Sequence, residues 1–280
     1  MLHSSKVVWK DNAALKDLSL ALSDINAEAV PFAFVAADDK LYLGSDFSFN
    51  HRFIDIKRGN SVAAAISQIE TWNGNGWDAV AEIWDGTQKA GKTFATSGVI
   101  GWVPNRHSNW AREGSTEDIP ELAALKIYDK KWIRITFSAD LDATTEINYV
   151  GHRFSDDAAL AGRYPDLVNP ESMDAFQQGK TNWNIQHVIA AEELIRDMKR
   201  DLDIWSENQL LDWQLFQDAA VHKVATIIFT AFGRDYVDNL DTAEAAYQKA
   251  RNKKIFNIDK NANAILRPAE KIASVGFVRR

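Results

Sequence analysis

The first half of the chain alternates short apolar segments with polar turns. The segments are rich in β-branched and aromatic residues, and Gly, Asn and Asp separate them, as Asn73–Gly76 does between two tryptophans. This spacing is typical of an all-β domain, and the Asn73–Gly76 stretch predicts a hairpin loop. The predicted strands are Phe32–Val35, Leu41–Leu43, Phe53–Ile56, Val62–Trp72, Trp77–Trp84, Val99–Val103 and Trp132–Phe137.

The last of these strands alternates most regularly. Ile133, Ile135 and Phe137 fall on one of its faces, and Trp132 falls on the other. Successive side chains of a strand point to opposite sides of a sheet. We therefore expect the face with the two isoleucines and Phe137 to lie in the core.

After residue 154 the hydrophobic period becomes that of helices. Ser155 is placed to cap a short helix that ends near Arg163. A helix from about Trp213 to Phe232 is apolar nearly all round, which is typical of the centre of a bundle or of an oligomer, and Gly233 is placed to stop it. Between these two, another helix carries an apolar stripe made of Ala191, Leu194, Ile195, Met198, Leu202 and Trp205.

A final helix is predicted at about Asp241–Lys253, and the chain beyond it becomes extended again. This last part forms either a pair of strands or an arm that becomes ordered on a partner. The whole pattern predicts an α+β protein, in which an antiparallel β-sandwich or jelly roll precedes a helical bundle with an extended C-terminal arm. The predicted divisions are 1–154, 155–254 and 255–280.

Composition narrows the possible chemistry. The 280 residues include no cysteine, which excludes disulfides, thiolate metal sites and a cysteine nucleophile. Residues 1–10 lack the apolar core of a secretory signal, and the longest apolar stretch, Val224–Phe232, is too short to span a bilayer. We therefore expect a protein that is neither secreted nor inserted in a membrane.

The charge is uneven along the chain. The net charge is −7, yet residues 249–280 hold nine basic and two acidic side chains. An acidic body disfavours wrapping of nucleic acid by the whole surface. The basic arm is either an element that docks on an acidic partner or a solvated tail.

The segment Gly86–Thr93 matches the phosphate-binding pattern G-x-x-x-x-G-K-[ST] in every position. A phosphate-binding loop needs a helix directly after it, because the helix N-terminus completes the anion site. The next residues, Phe94–Trp102, contain two glycines and several β-branched or aromatic side chains, which predict a strand. We therefore interpret Gly86–Thr93 as a loop that joins two strands.

No other motif predicts catalysis. The six histidines have no metal-ligand spacing, and no G-x-S-x-G pattern occurs. We expect no enzyme activity, no cofactor and no metal. Two alternatives remain open: a carbohydrate-binding module in which Trp72, Trp77, Trp102 and Trp110 stack on sugars, and a glycoside-acting enzyme, which requires two converging carboxylates.

Tryptophans and glycines recur in a fixed order along residues 40–140. The order runs through Leu41–Ser45, Phe53–Ile56, Trp72–Trp77, Trp84–Thr87, Ser97–Pro104, Trp110 and Lys131–Ile135. It resembles a β-sandwich module of structural proteins of tailed bacteriophages. In that module the segment from Asp85 to Gly91 is a loop between strands.

Residues 195–269 carry a second resemblance. Its features are Ile195–Lys199, Trp205, Leu210–Leu211, the apolar helix Leu215–Phe232 and a helix that ends at Tyr247–Ala250. In order and character they are similar to the small helical head–tail connectors, or neck adaptors, of tailed phages. Those connectors lack a large N-terminal β-domain, so the resemblance gives that domain no role.

The connector resemblance implies a homo-oligomeric ring of twelve copies in the neck of the virion, assembled in the host cytoplasm. Its partners are the portal protein and a tail or second neck protein, and DNA passes through without sequence-specific binding. The basic arm is expected to dock on a neighbouring subunit. The expected interface residues are Phe256, Phe277, Arg279 and Arg280.

Overall fold

The computed structural model describes residues 5–105, 110–114, 118–127, 129–202, 205–252, 255–257 and 271–273, with only the backbone of 201–202, 255–257 and 271–273. The chain divides into two compact units between Gly151 and His152. The first is a β unit and the second is mainly helical, so the predicted α+β class is confirmed.

The β unit contains eleven strands among its described residues. They are β1 Lys6–Asp11, β2 Ala14–Asp17, β3 Val30–Pro31, β4 Lys40–Ser45, β5 His51–Arg58, β6 Ile66–Trp72, β7 Trp77–Ala79, β8 Glu82–Asp85, β9 Gly98–Val103, β10 Lys131–Phe137 and β11 Glu146–Gly151. Six form a sheet in the order β2-β1-β4-β10-β6-β7, and five form a sheet in the order β3-β11-β5-β9-β8. All neighbours pair antiparallel.

Aromatic rings fill the interior of the β unit. The ring of Trp9 on β1 lies 4.9 Å from that of Phe32, and Phe137 on β10 lies 4.7 Å from Phe34 and 5.1 Å from Phe94. All five side chains are buried. The predicted strand Phe32–Val35 contributes two phenylalanines to the core. The residues that pair with a neighbouring strand are those just before it, in β3.

The hairpin loop and the strand-connecting loop are both as predicted. Trp72 pairs with Trp77 across the four-residue turn Asn73–Gly76, in which the Asn73 N–H donates to the Gly76 carbonyl over 2.9 Å. The segment that begins at Gly86 joins β8 to β9, so a strand and not a helix comes next. The Thr87 hydroxyl accepts the N–H of Phe94 over 3.0 Å, so this threonine folds the loop on itself.

The helical unit contains five α-helices among its described residues: α1 Asp157–Ala161, α2 Pro170–Phe176, α3 Asn184–Leu202, α4 Gln217–Phe232 and α5 Val237–Asn252. Short 3₁₀ turns occur at Pro165–Val168, Glu207–Gln209, Trp213–Phe216 and Arg234–Tyr236. Helix α4 packs against both α3 and α5. Its Val224, Ala225 and Ile228 are buried, so this apolar helix is the centre of the bundle within one chain.

Two details of the predicted helices are wrong. Ser155 does not cap α1, because Asp156 occupies the cap position and its carboxylate accepts the N–H of Ala159 over 2.8 Å. The apolar stripe of α3 is buried at Ala191, Leu194, Ile195 and Met198, but the helix ends at Leu202. Trp205 therefore leaves the stripe and is 82% exposed.

Beyond α5 the structure describes two short strands, β12 Ile255–Asn257 and β13 Lys271–Ala273, which pair antiparallel. Phe256 lies on β12, opposite Ile272. Phe277, Arg279 and Arg280 lie outside the described residues. Within the described part of the chain, no helix combines the length and hydrophobicity that a membrane crossing requires.

Candidate interaction surfaces

The four tryptophans predicted as a sugar platform do not form an open face. Trp72, Trp102 and Trp110 are buried. Trp77 is partly buried, and the guanidinium of Arg134 lies over its ring at 4.8 Å from the centroid. Because a stacking platform must be reached by its ligand, these tryptophans are core components of the β unit.

A buried polar group surrounds Trp132, on the face of β10 that we expected to be outside the core. The indole N–H of Trp132 donates to the Glu113 carboxylate over 2.7 Å, and the Trp110 N–H donates to the Trp132 carbonyl over 3.2 Å. The other oxygen of Glu113 is buried and has no hydrogen-bond partner among the residues that the structure describes. Burial raises the pKa of Glu113 against the opposing effect of the Trp132 N–H. The second face of β10 is therefore buried at Trp132, while Arg134 and Thr136 on the same face are partly exposed.

Two carboxylates converge on Arg134, one from strand β6 and one from the segment between β9 and β10. Glu70 accepts a hydrogen bond from Arg134, and Glu121 lies 3.8 Å from the same guanidinium. Tyr42 donates to Glu121, and burial together with this hydrogen bond raises the pKa of Tyr42. Arg134 compensates both carboxylates, so the group supports the sheet and does not resemble the open acid pair of a glycoside hydrolase.

The helical unit contains a Ser–His–Asp group that sequence spacing did not indicate. Ser155 Oγ lies 2.7 Å from His187 Nδ1, and His187 Nε2 donates to Asp157 over 3.1 Å. Asp157 also accepts the backbone N–H of Trp183. In serine hydrolases the serine faces Nε2 and the carboxylate faces Nδ1, the reverse of this arrangement. Ser155 and His187 are buried, and the group ties the start of α1 to α3.

Other apolar side chains among the described residues are exposed to solvent, and Trp205 is one of them. Trp205 is 82% exposed, and its backbone N–H donates to Gln209 over 2.8 Å. The following residue, Ser206, caps the turn Glu207–Gln209 with a reciprocal hydrogen-bond pair. The backbone at Trp205 is thus hydrogen-bonded to the turn that follows it, and the indole itself projects into solvent.

A row of aromatic rings reaches the surface at the junction of α4 and α5. The buried Trp183 lies 5.0 Å from Phe176, Phe176 lies 6.1 Å from Phe232, and Phe232 lies 5.0 Å from Tyr236. Val237 follows as the first residue of α5. Tyr236 and Val237 are 40% and 48% exposed. We call Phe176, Phe232, Tyr236 and Val237 the aromatic patch.

The β unit exposes apolar side chains at one edge of its five-stranded sheet. Trp84 on β8 is 47% exposed, and its ring lies over Gly101, the residue opposite it on β9. Val103 on β9 is exposed on the same face, opposite Glu82. Trp84 and Val103 thus form an exposed apolar pair at this edge.

The interface residues predicted on the C-terminal arm are not tested by this geometry. Of the four, Phe256 has a described backbone only, and Phe277, Arg279 and Arg280 fall outside the described residues. Among the described residues, no three His, Asp or Glu side chains come together as a metal site. No protein-family model matches the chain, and neither a curated protein nor a solved structure matches it at a significant level.

Proposed function

We propose that the protein is a structural component of a tailed-phage particle, a head–tail connector that acts by binding neighbouring proteins. Copies of the chain form a ring in the neck between the portal protein and a tail or second neck protein, and DNA passes through the channel. The proposal begins from the resemblance of residues 195–269 to neck adaptors. It attributes the function to packing between subunits and to no catalytic step.

The observation that carries the proposal is the exposure of Trp205. A tryptophan buries about 150–250 Å² in a protein contact. At about 25 cal/mol per Å² this amounts to roughly 4–6 kcal/mol before the costs of association. Tryptophan is also among the residues that dominate binding energy at protein interfaces. An exposed indole on a backbone that is hydrogen-bonded to the following turn is thus suited to anchor a partner.

Exposed apolar side chains in both units favour a subunit with several neighbours over a module with one ligand. They lie at Trp205, at the aromatic patch and at the Trp84 edge of the β unit. A connector subunit meets adjacent copies, the portal and the tail, so it needs more than one contact surface. The net charge of −7 also suits a ring whose lumen repels DNA and lets it slide.

Electron microscopy of the purified chain, alone and mixed with the portal protein encoded by the same genome, tests this proposal. The proposal predicts closed rings with a central opening, or density added beneath the portal ring. A chain that stays monomeric at every concentration and never associates with the portal would contradict it.

A further inference from the structure

The six-stranded sheet of the β unit carries two lysines side by side on one face. Lys10 on β1 lies directly opposite Lys40 on β4, so both side chains leave the sheet on the same side. In an antiparallel pair the Cβ atoms of opposite residues are about 4.5–5.5 Å apart, so the two ammonium groups can reach one ligand. Both residues are partly buried. We call Lys10 and Lys40 the lysine pair.

The lysine pair lacks a counter-charge within the part of the chain that the structure describes. Neither side chain forms an ion pair or a hydrogen bond with a described residue. The carboxylates next to the pair in sequence are engaged elsewhere: Asp11 pairs with Lys16, and the buried Asp39 accepts the indole N–H of Trp9 and two backbone N–H groups. Like charges directly opposite each other destabilise a sheet, and a bound anion would remove that repulsion.

Hydroxyl and amide groups continue the same row of the sheet beyond the pair. The register of β4 and β10 places Thr136 beside Lys40, and Thr136 lies opposite Gln68 on β6. Thr136 Oγ1 lies 2.9 Å from Oγ of Ser67. Ser67 and Gln68 are exposed, and Thr136 is partly exposed. When Ser67 donates to Thr136, the Thr136 hydroxyl can donate to an anion held by the lysines.

The charges at this row favour a small, doubly charged ligand. Lysine binds phosphate as a point charge. Two ammonium groups match a phosphate monoester or inorganic phosphate, which carries about −1.5 to −2 at pH 7, whereas each phosphodiester of a nucleic acid carries a single charge. The net charge of −7 also opposes a long anionic polymer, which would meet the acidic surface around the pair.

We propose that the lysine pair, together with the hydroxyl of Thr136, binds a small ligand through its phosphate group. The two ammonium groups supply the charge that holds the phosphate, and the hydroxyl donates to one of its oxygens. Nothing in the Gly86–Thr93 loop takes part. The site is separate from the contact surfaces of the proposed connector, and it does not depend on that function.

Calorimetric titration with inorganic phosphate, compared with sodium chloride at equal ionic strength, tests the site. Lys40→Met keeps the apolar stem of the side chain and removes one charge. It should weaken phosphate binding about tenfold or more, the effect of losing one hydrogen bond to a charged group. Lys57→Met is the matched control, since Lys57 is an exposed lysine on β5 of the other sheet, and it should leave binding unchanged. Weaker binding in Lys92→Met instead would assign the phosphate to the Gly86–Thr93 loop and overturn the proposal.

Thermal melts give a second measurement that a misfolded variant cannot imitate. In chloride, Lys40→Met should be at least as stable as the natural chain, because it removes the repulsion within the pair. Phosphate should raise the melting temperature of the natural chain and of Lys57→Met, because a ligand stabilises the state that binds it. The melting temperature of Lys40→Met should rise much less. An equal rise in all three proteins would overturn the site.

Two further ligands distinguish the sources of the phosphate group. Similar affinities for phosphate and for adenosine monophosphate would support a site for the phosphate group alone, and tighter binding of the nucleotide would support a nucleotide as the ligand. An oligonucleotide without terminal phosphates contains only singly charged diesters. A preference for this oligonucleotide over both small ligands would overturn the proposal, and so would a natural chain that binds none of the three.

Discussion

The indole of Trp132 lies across Gly44, the residue directly opposite it on strand β4. A Cβ atom at Gly44 would lie 2.6 Å from the six-membered ring of Trp132, well inside van der Waals contact. Trp132 is fully buried, and its N–H is held by Glu113, so the indole has no room to move away. Gly44 thus leaves no room for a side chain between β4 and the indole of Trp132.

Gly44→Ala should destabilise the β unit by about 1–3 kcal/mol, the usual cost of overpacking a core. The measurement is chemical denaturation followed by tryptophan fluorescence. Gly76→Ala is the control, because no atom lies within 4 Å of a Cβ at that position. If the two variants unfold at the same denaturant concentration, the close packing of Trp132 on Gly44 is wrong.

The buried Glu113 leads to a prediction about pH. Burial raises the pKa of Glu113 in the folded protein, so between the unfolded and folded pKa values the folded state holds more protons. The contribution of this group to stability therefore falls as pH rises through that interval. Glu113→Gln keeps an oxygen for the Trp132 N–H and carries no charge, so it should be more stable than the natural chain at pH 8. The advantage should shrink towards pH 4.

Denaturation curves at pH 4, 6 and 8 provide the comparison. Glu82→Gln serves as the control, since Glu82 is an exposed carboxylate on β8. A Glu113→Gln variant that is less stable than the natural chain by the same amount at every pH would show that the ionised carboxylate is not disfavoured.

His187 predicts the opposite pH dependence for the helical unit. Burial lowers the pKa of His187 in spite of the hydrogen bond to Asp157. The unfolded chain, with a histidine pKa of about 6.5, then takes up a proton that the folded unit does not. Stability is complete above that pH and decreases as pH falls below it, with a slope of at most about 1.4 kcal/mol per pH unit for one proton.

His187→Gln tests whether His187 causes this loss of stability at acid pH, because glutamine retains a donor and an acceptor but does not titrate. The variant should show a shallower loss of stability between pH 6.5 and pH 5 than the natural chain. The charged groups that act most on the pKa of His187 are unchanged by the substitution; they are Asp157, Arg153 and Asp156. An identical acid slope in both proteins would exclude His187 as its source.

The substitution Trp205→Ala distinguishes a contribution to assembly from a contribution to folding. Because its side chain is exposed in the single chain, Trp205→Ala should change the free energy of unfolding by less than about 0.5 kcal/mol. Loss of an anchor residue typically weakens an interface by about 2 kcal/mol or more, roughly thirtyfold in affinity. Leu20→Ala in the β unit is the control, since Leu20 is 87% exposed. Sedimentation and thermal melts of the two variants should differ in assembly only, and equal assembly would remove Trp205 as an anchor.

Much of the fold is encoded in local sequence patterns. The strands around β4–β6 and β9–β10, the turn Asn73–Gly76 and the apolar helix α4 were all predictable, because alternation and turn residues act over short distances. The same patterns distinguished the loop at Gly86 from a phosphate-binding loop. The residues after the glycine pattern decide its structure, and in this chain they form β9 instead of a helix.

The errors concern contacts between distant segments. Trp132, on the second face of β10, is buried because Leu122 packs against it and Glu113 accepts its N–H, which periodicity within one strand does not reveal. Ser155 reaches His187 thirty-two positions later, and no spacing rule connects them. Trp205 continued a helical stripe in sequence, but α3 ends before it. Each of these cases depends on where another element packs or ends.

The central claim, a connector in the neck of a phage particle, is tested most directly by locating the chain in virions. Under this proposal the chain is encoded by a phage or prophage, whose particles can be labelled with gold-conjugated antibodies raised against the purified chain and imaged by electron microscopy. The account predicts gold at the junction of head and tail, on particles whose tails are attached. Virions that contain no copy of the chain, or that carry the label only at tail fibres or on the capsid surface, would contradict it.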